Sequence, residues 1–207
     1  LLYLYILNTN LINTMKKLFL LVVLLISMGT GIWAQFPKAI FPGDYPDPSI
    51  LRDGKDYYMT HSPFYYAPGF LIWHSTDLLH WEPVCRALPE YEGSAMAPDL
   101  LKYQGRYYIY YPTSTGENYV IYADNILGPW SKPVKLDVKG IDPGHVVGED
   151  GKRYLFTNNG WITPLSDDGL KVTGKSRKVY DGWEYPANWV TEGKDMYLES
   201  PKLLYKD

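Results

Sequence analysis

Asp53-Gly54-Lys55-Asp56-Tyr57-Tyr58-Met59-Thr60 is a glycine turn followed by a run of strand-forming residues, and it occurs three times. Its echoes are Gln104-Gly105-Arg106-Tyr107-Tyr108-Ile109-Tyr110-Tyr111 and Asp150-Gly151-Lys152-Arg153-Tyr154-Leu155-Phe156-Thr157. Each copy follows a short apolar stretch: Ser49-Ile50-Leu51, Asp99-Leu100-Leu101-Lys102-Tyr103 and His145-Val146-Val147. A Gly turn joining two such runs is a hairpin signal. The turn glycines recur about every 50 residues, the length of one supersecondary unit.

Two further strands of the unit also repeat. Phe70-Leu71-Ile72-Trp73-His74-Ser75 leads to Thr76-Asp77-Leu78-Leu79-His80-Trp81-Glu82-Pro83-Val84. Tyr119-Val120-Ile121-Tyr122-Ala123 leads to Asp124-Asn125-Ile126-Leu127-Gly128-Pro129-Trp130-Ser131-Lys132-Pro133-Val134. In both, a loop delivers a Trp just before a short outer strand. The third copy is looser, running from Gly160-Trp161-Ile162-Thr163-Pro164-Leu165-Ser166 through Asp167 to Lys175. Four short strands per unit predict an all-β fold, a β-propeller of four-stranded antiparallel blades. A β-helix repeats at a shorter period, and a sandwich does not repeat its sequence. Glu199-Ser200-Pro201-Lys202-Leu203 reads as the opening of a fourth copy. Three blades and one strand do not close a ring, because propellers run from four blades upward. The chain therefore reads as a truncated reading frame or a piece of a longer protein.

Composition agrees with strands and turns. Aromatic residues make up 16% of the chain and Tyr alone numbers 20, beside 18 Gly and 16 Pro. The formal charge is −3 and no Lys/Arg-rich run is present, which argues against a nucleic-acid partner. Cys85 is the single cysteine, so neither an intrachain disulfide nor a cysteine metal cluster is available. Residues 1–34 are expected to lie outside the fold. Met15-Lys16-Lys17, the apolar run Leu18 to Ile26 and the small-residue stretch from Ser27 to Gly31 have the pattern of a secretory signal, with cleavage expected before Gln35. Residues 1–14 read as upstream sequence. The run is short of the ~20 residues of a comfortable membrane span, so no stable membrane insertion is expected after cleavage, although signal and anchor patterns overlap. Residues 35–207 form the incomplete propeller domain.

Asp47 stands between Pro46 and Pro48, a stiff setting that suits a carboxylate with something to aim at. Asp beside Pro is also a common turn, bonding nearby amides. Similar acids open later copies: Asp142 in Gly140-Ile141-Asp142-Pro143-Gly144 and Glu199 in Leu198-Glu199-Ser200-Pro201. Innermost strands surround the propeller channel, so these acids are expected to converge at its mouth. Carboxylates crowded there would repel one another, an arrangement suited to an acid/base pair.

The motifs Asp47-Pro48-Ser49, Ile141-Asp142-Pro143 and Glu199-Ser200-Pro201-Lys202-Leu203, with Ser75-Thr76-Asp77-Leu78-Leu79-His80-Trp81 and Gly128-Pro129-Trp130, resemble glycoside hydrolase family 43. That family comprises five-bladed propellers including β-xylosidases, α-L-arabinofuranosidases and arabinanases. The resemblance implies an exported, inverting glycosidase acting on pentose-containing plant polysaccharides or their oligomers. It makes Asp47 the general base, Glu199 the general acid, and Asp142 the carboxylate that orients Glu199 and modulates its acidity. Phe64 would line the sugar pocket. Met96 stands where the family usually has a Trp and is expected near substrate; His145 stands where an apolar residue is frequent and is expected either to contact sugar or to cap a turn. Trp161, Trp183 and Trp189 either line subsites or pack between blades. Family members often hold a central metal ion with residues from blades beyond these three, so no cofactor or metal site is assigned. The alternatives are a non-catalytic or inactive propeller that binds glycans, and a retaining glycosidase of another propeller family.

Overall fold

The computed structural model describes residues 14–20, 39–91, 93–181 and 198–203. The chain divides into two compact units, Leu1–Ile40 and Phe41–Asp207. In the first, residues 14–20 are helical and exposed. No helix among the described residues is long and apolar enough to cross a membrane.

Among the described residues, the second unit contains three four-stranded antiparallel sheets, each formed by consecutive strands. The first comprises β1 (Ser49–Asp53), β2 (Asp56–Thr60), β3 (Gly69–Ser75) and β4 (Glu82–Leu88). The second comprises β5 (Asp99–Tyr103), β6 (Arg106–Pro112), β7 (Asn118–Ala123) and β8 (Val134–Leu136). The third comprises β9 (Gly144–Val147), β10 (Arg153–Thr157), β11 (Trp161–Pro164) and β12 (Arg177–Lys178). These are blades of a β-propeller. The first strand of the second blade, β5, lies between β1 and β9, which makes the three opening strands neighbours.

The repeated glycines do what the sequence implied. Pairing of Tyr103 with Arg106 leaves Gln104-Gly105 as the loop, and both have positive φ, 49° and 85°. Two left-handed residues make the hairpin turn whose twist matches that of its strands. Asp53 pairs with Asp56 across Gly54-Lys55, with Gly54 at φ 65°. In the third blade Val147 pairs with Arg153, so Gly151 sits in a longer loop. The looseness of that copy has a local cause. A 3₁₀ turn at Asn158–Gly160 follows β10, and the closing strand β12 has only two residues.

Packing between blades explains the tyrosines. Tyr107, Ile109 and Tyr111 of β6 join Phe70, Ile72 and Leu100 in the core between blades one and two. Tyr108 and Tyr110, on the opposite face of the same strand, join Val120, Leu155 and Leu165 between blades two and three. A central strand buried on both faces loses the apolar/polar alternation and becomes continuously large and apolar. The loop tryptophans are fixed as well: Trp81 Nε1 donates to Leu78 O (3.0 Å) and Trp130 Nε1 to Ile126 O (3.1 Å).

Candidate active site

Four dipeptides of one kind stand at the inner ends of the blades: Asp47-Pro48, Ala97-Pro98, Asp142-Pro143 and Ser200-Pro201. The first three immediately precede β1, β5 and β9. The residue before each proline is left-handed, with φ of 53°, 40°, 57° and 52°. Non-glycine residues avoid that region, and a following proline favours extended backbone instead. Such a conformation costs about 1–3 kcal/mol and persists only where its surroundings over-determine it.

Hydrogen bonds supply that determination. Ser62 Oγ donates to Asp47 Oδ2 at 2.5 Å and accepts from Ala97 N at 2.6 Å, tying the first dipeptide to the second. Ser62 N also donates to Pro46 O (3.0 Å). Asn158 holds the third from behind: its N–H donates to Ile141 O (2.8 Å) and its Oδ1 accepts from Ile141 N (3.0 Å). Asp142 Oδ2 accepts from Ser200 N (3.1 Å) and Ser200 Oγ (3.4 Å), tying the third to the fourth. The strands behind them are joined in the same fashion. Ser49 Oγ accepts from Leu100 N (2.9 Å), and Asp99 Oδ2, at the matching place of the next blade, accepts from His145 N (2.8 Å). In the third blade this place is Gly144, where an added Cβ would collide with Pro201 O. Only glycine lets the fourth segment approach so closely.

The result is one cavity of about 240 Å³, lined by the first three dipeptides together with Ser200 and Lys202. It lies below the ~300–1,000 Å³ of sites for drug-sized ligands, a scale that suits a single sugar ring. Two carboxylates from different blades face it in unlike settings: Asp47 is exposed, whereas Asp142 is buried at 8% exposure. Two carboxyl groups in contrasting environments can divide acid/base roles between them. A cation stands beside them, Lys202, paired through Nζ to Asp99 Oδ1 at 2.9 Å. Among the described residues, no group of three His, Cys, Asp or Glu side chains is placed to hold a metal ion.

Of the residues expected from sequence, Asp47 and Asp142 share this cavity. Glu199 lines a neighbouring, more apolar one of about 360 Å³ with Phe156, Tyr180 and Leu198. The left-handed place matching Asp47 and Asp142 belongs to Ser200, one residue later, so the fourth acid is offset from the other two. Phe64 (φ 47°) pairs with Ala95, its N–H donating to Ala95 O at 2.9 Å, and Met96 N donates to Pro112 O at 3.0 Å. Both are half-buried in loops that reach the cavity through Ser62 and Ala97, and neither is among its lining residues. His145, expected near substrate, is turned into the seam between blades two and three. Its Nε2 accepts from Arg153 Nε at 2.9 Å and its ring stacks on Tyr110, 5.8 Å between centroids. Burial, reinforced by the Arg153 charge, pushes its pKa down to about 3, so the ring is neutral. Trp161 carries the Lys139 ammonium 4.0 Å above its ring. Trp183 and Trp189 lie outside the described residues. Ser62, Asp99, Ser200 and Lys202 had no role assigned from sequence. The signal that finds Asp99, Ser200 and Lys202 is the recurrence of the dipeptide ending in proline, legible once all four copies are aligned on that proline; Ser62, in the loop after β2, lies outside that repeat.

Comparison with known proteins bears on the family of the chain. The profile of Glycosyl hydrolases family 43 matches residues 36–207. A xylosidase/arabinosidase of Butyrivibrio fibrisolvens is 33% identical over 184 residues, covering 76% of this chain and 35% of that protein. Xylosidase/arabinosidase 43B of Humicola insolens is 36% identical over 194 residues, 79% and 35% of the two chains. The crystal structure of a xylan β-1,4-xylosidase from Bacillus halodurans C-125 superposes with a TM-score of 0.68 at 31% identity, covering 82% of this chain and 36% of that one. The chain thus spans 35% of the length of the first two relatives. A repeat of four-stranded blades, acids from separate blades at one cavity, and a family match over the whole second unit lead to one assignment: this chain belongs to glycoside hydrolase family 43.

Proposed function

We propose that the chain carries the catalytic carboxylates of an inverting glycosidase that cleaves pentose-containing polysaccharides or oligosaccharides of the xylan or arabinan type. The observation that carries this reading is the meeting of Asp47 and Asp142, from blades one and three, at one sugar-sized cavity. Asp47 is the exposed member and is suited to draw a proton from an attacking water. Asp142 holds the segment containing Glu199 through its bonds to the adjacent Ser200. Glu199 then protonates the departing glycosidic oxygen. An inverting pair stands ~6.5–9.5 Å apart, leaving room for the water. The names of the relatives, xylosidase and arabinosidase, support the pentose class.

The test is hydrolysis of 4-nitrophenyl β-D-xylopyranoside and α-L-arabinofuranoside by the purified chain, with the first-formed anomer read by NMR. Inverted product is expected. Asp47→Asn and Glu199→Gln should each lower kcat by ~10²–10⁴, the usual contribution of general acid or base groups. Undiminished turnover in either variant overturns its assigned role. A second reading, glycan binding without turnover, is favoured by the position of Glu199 on the neighbouring cavity. It is the outcome if xylo-oligosaccharides bind and none is cleaved. The N-terminal pattern supports export with residues 1–34 removed, and N-terminal sequencing of secreted protein should then begin at Gln35.

A further inference from the structure

On the glycosidase reading just given, we propose that Lys202 is a sugar-binding residue, an ammonium aimed into the cavity by Asp99 to donate a hydrogen bond to one ring hydroxyl of a pentose. Both oxygens of Asp99 are engaged: Oδ2 accepts from His145 N and Oδ1 from Lys202 Nζ. The Asp99 side chain is only 11% exposed, so its direction is fixed by blades two and three together. Among the described residues, the other partner of the ammonium is Pro143 O, at 3.5 Å. An ammonium has three N–H donors, and one is therefore left for a ligand in the cavity that Lys202 lines.

Stability alone does not account for this pair. The Lys202 side chain is 52% exposed, and exposed ion pairs contribute little because water screens them. Chemistry of the cavity does account for it. Its two carboxylates, Asp47 and Asp142, only accept hydrogen bonds when ionised. A sugar presents vicinal hydroxyls, each able to donate and accept. A donor set beside acceptors matches neighbouring hydroxyls, whereas acceptors alone match only half of that pattern. Lys202 is the charged donor at this cavity, and its removal leaves a ligand hydroxyl unpaired, the loss that discriminates most strongly between ligands.

The experiment uses the full chain and its Lys202→Met, Lys202→Arg and Asp99→Asn variants. Each is titrated with 4-nitrophenyl β-D-xylopyranoside and its 2-, 3- and 4-deoxy analogues, reading affinity by saturation-transfer NMR and turnover by nitrophenol release. Lys202→Met should weaken the parent glycoside about 10–100-fold, the range for a hydrogen bond to a charged group. One deoxy analogue should lose a similar factor with the native chain and almost nothing further with Lys202→Met. Lys202→Arg should restore part of the loss, and Asp99→Asn should show the same hydroxyl-selective pattern at smaller size. Equal losses on all four glycosides in Lys202→Met would overturn the proposal and leave the pair a structural tie. If the native chain binds without turnover, the deoxy pattern in affinity still decides the role of Lys202, while the glycosidase reading fails separately. A native chain that binds none of the four overturns both.

Discussion

The two seams between blades are built from different physics. Between blades one and two, Phe70, Ile72, Leu100, Ile109 and Ile121 make an apolar layer, and polar contacts border it: Ser49 Oγ accepts from Leu100 N, Ser62 Oγ from Ala97 N, and Asp53 Oδ2 from Lys102 Nζ (2.7 Å) and Tyr107 Oη (2.5 Å). Between blades two and three the largest fully buried side chain is Arg153, at 1% exposure. Its guanidinium lies 4.4 Å from the ring centroids of both Tyr103 and Tyr108. It donates to His145 Nε2, to Tyr110 Oη (3.1 Å) and to Asp167 O (3.2 Å). Tyr110 Oη passes its own hydrogen to Gly169 O (2.9 Å). None of these partners is a carboxylate. The centre of the first seam is cohesive through buried apolar area. The second is a polar network in which each member depends on the rest, because an unpaired polar group in a buried place is costly.

The largest expected effects come from breaking each seam at its centre. Ile109→Ala should lower unfolding stability by about 2–5 kcal/mol through lost burial and a residual cavity. Arg153→Met should cost about 3 kcal/mol, since it strips donors from His145 and Tyr110 and removes two cation–π contacts. Urea midpoints measure both. Coupling sharpens the contrast: Arg153→Met combined with His145→Gln should be non-additive by ~0.5–3 kcal/mol, as for groups in one network. Additivity there would mean the second seam is not one network.

Acid should separate the seams next. A histidine whose folded pKa is pushed below its ordinary 6.5, here to about 3, binds its proton in the unfolded chain first. Stability from keeping it neutral is complete above pH 6.5 and is lost as pH falls toward 3. The loss between pH 6.5 and 5 should approach about 2 kcal/mol, at ~1.4 kcal/mol per unit. Burial also lowers the pKa of His61, beside Ser62, and it acts in the same direction. The difference between the native chain and His145→Gln, which retains an acceptor for Arg153, isolates the seam. An unchanged slope in that variant would refute this placement of the proton. The smallest effect belongs to one polar stitch of the first seam: Ser49→Ala should cost about 1 kcal/mol.

How much of this could be read from sequence depended on whether a feature is local. Hairpin turns at Gly54 and Gly105 are set by their own φ, and the blade repeat follows from them. The convergence of Asp47 and Asp142 follows from equivalent places in the repeat. Glu199 was aligned as an acid, whereas the backbone repeats on its proline, which puts Ser200 in register. His145 could not be placed because the residue that turns it away, Arg153, lies across a hairpin. Arginine is rarely buried without a charged partner, and here the facing tyrosines of blade two, His145 Nε2 and Asp167 O together satisfy it. The closing strand of the third blade was hidden because its two residues carry no periodicity.

A proline fastens the main chain directly behind each of Asp47, Ala97, Asp142 and Ser200. A nucleotide change in any of those codons swaps one side chain beside the cavity ahead of a proline that stays in place. At Asp47 and Asp142 such a change also removes the bonds to Ser62 and Ser200 that hold the bend, whereas Ala97 is held through its main-chain N–H. The alanine at position 97 shows that one of the four sockets already stands without a functional group, which makes it the natural place to graft a new one.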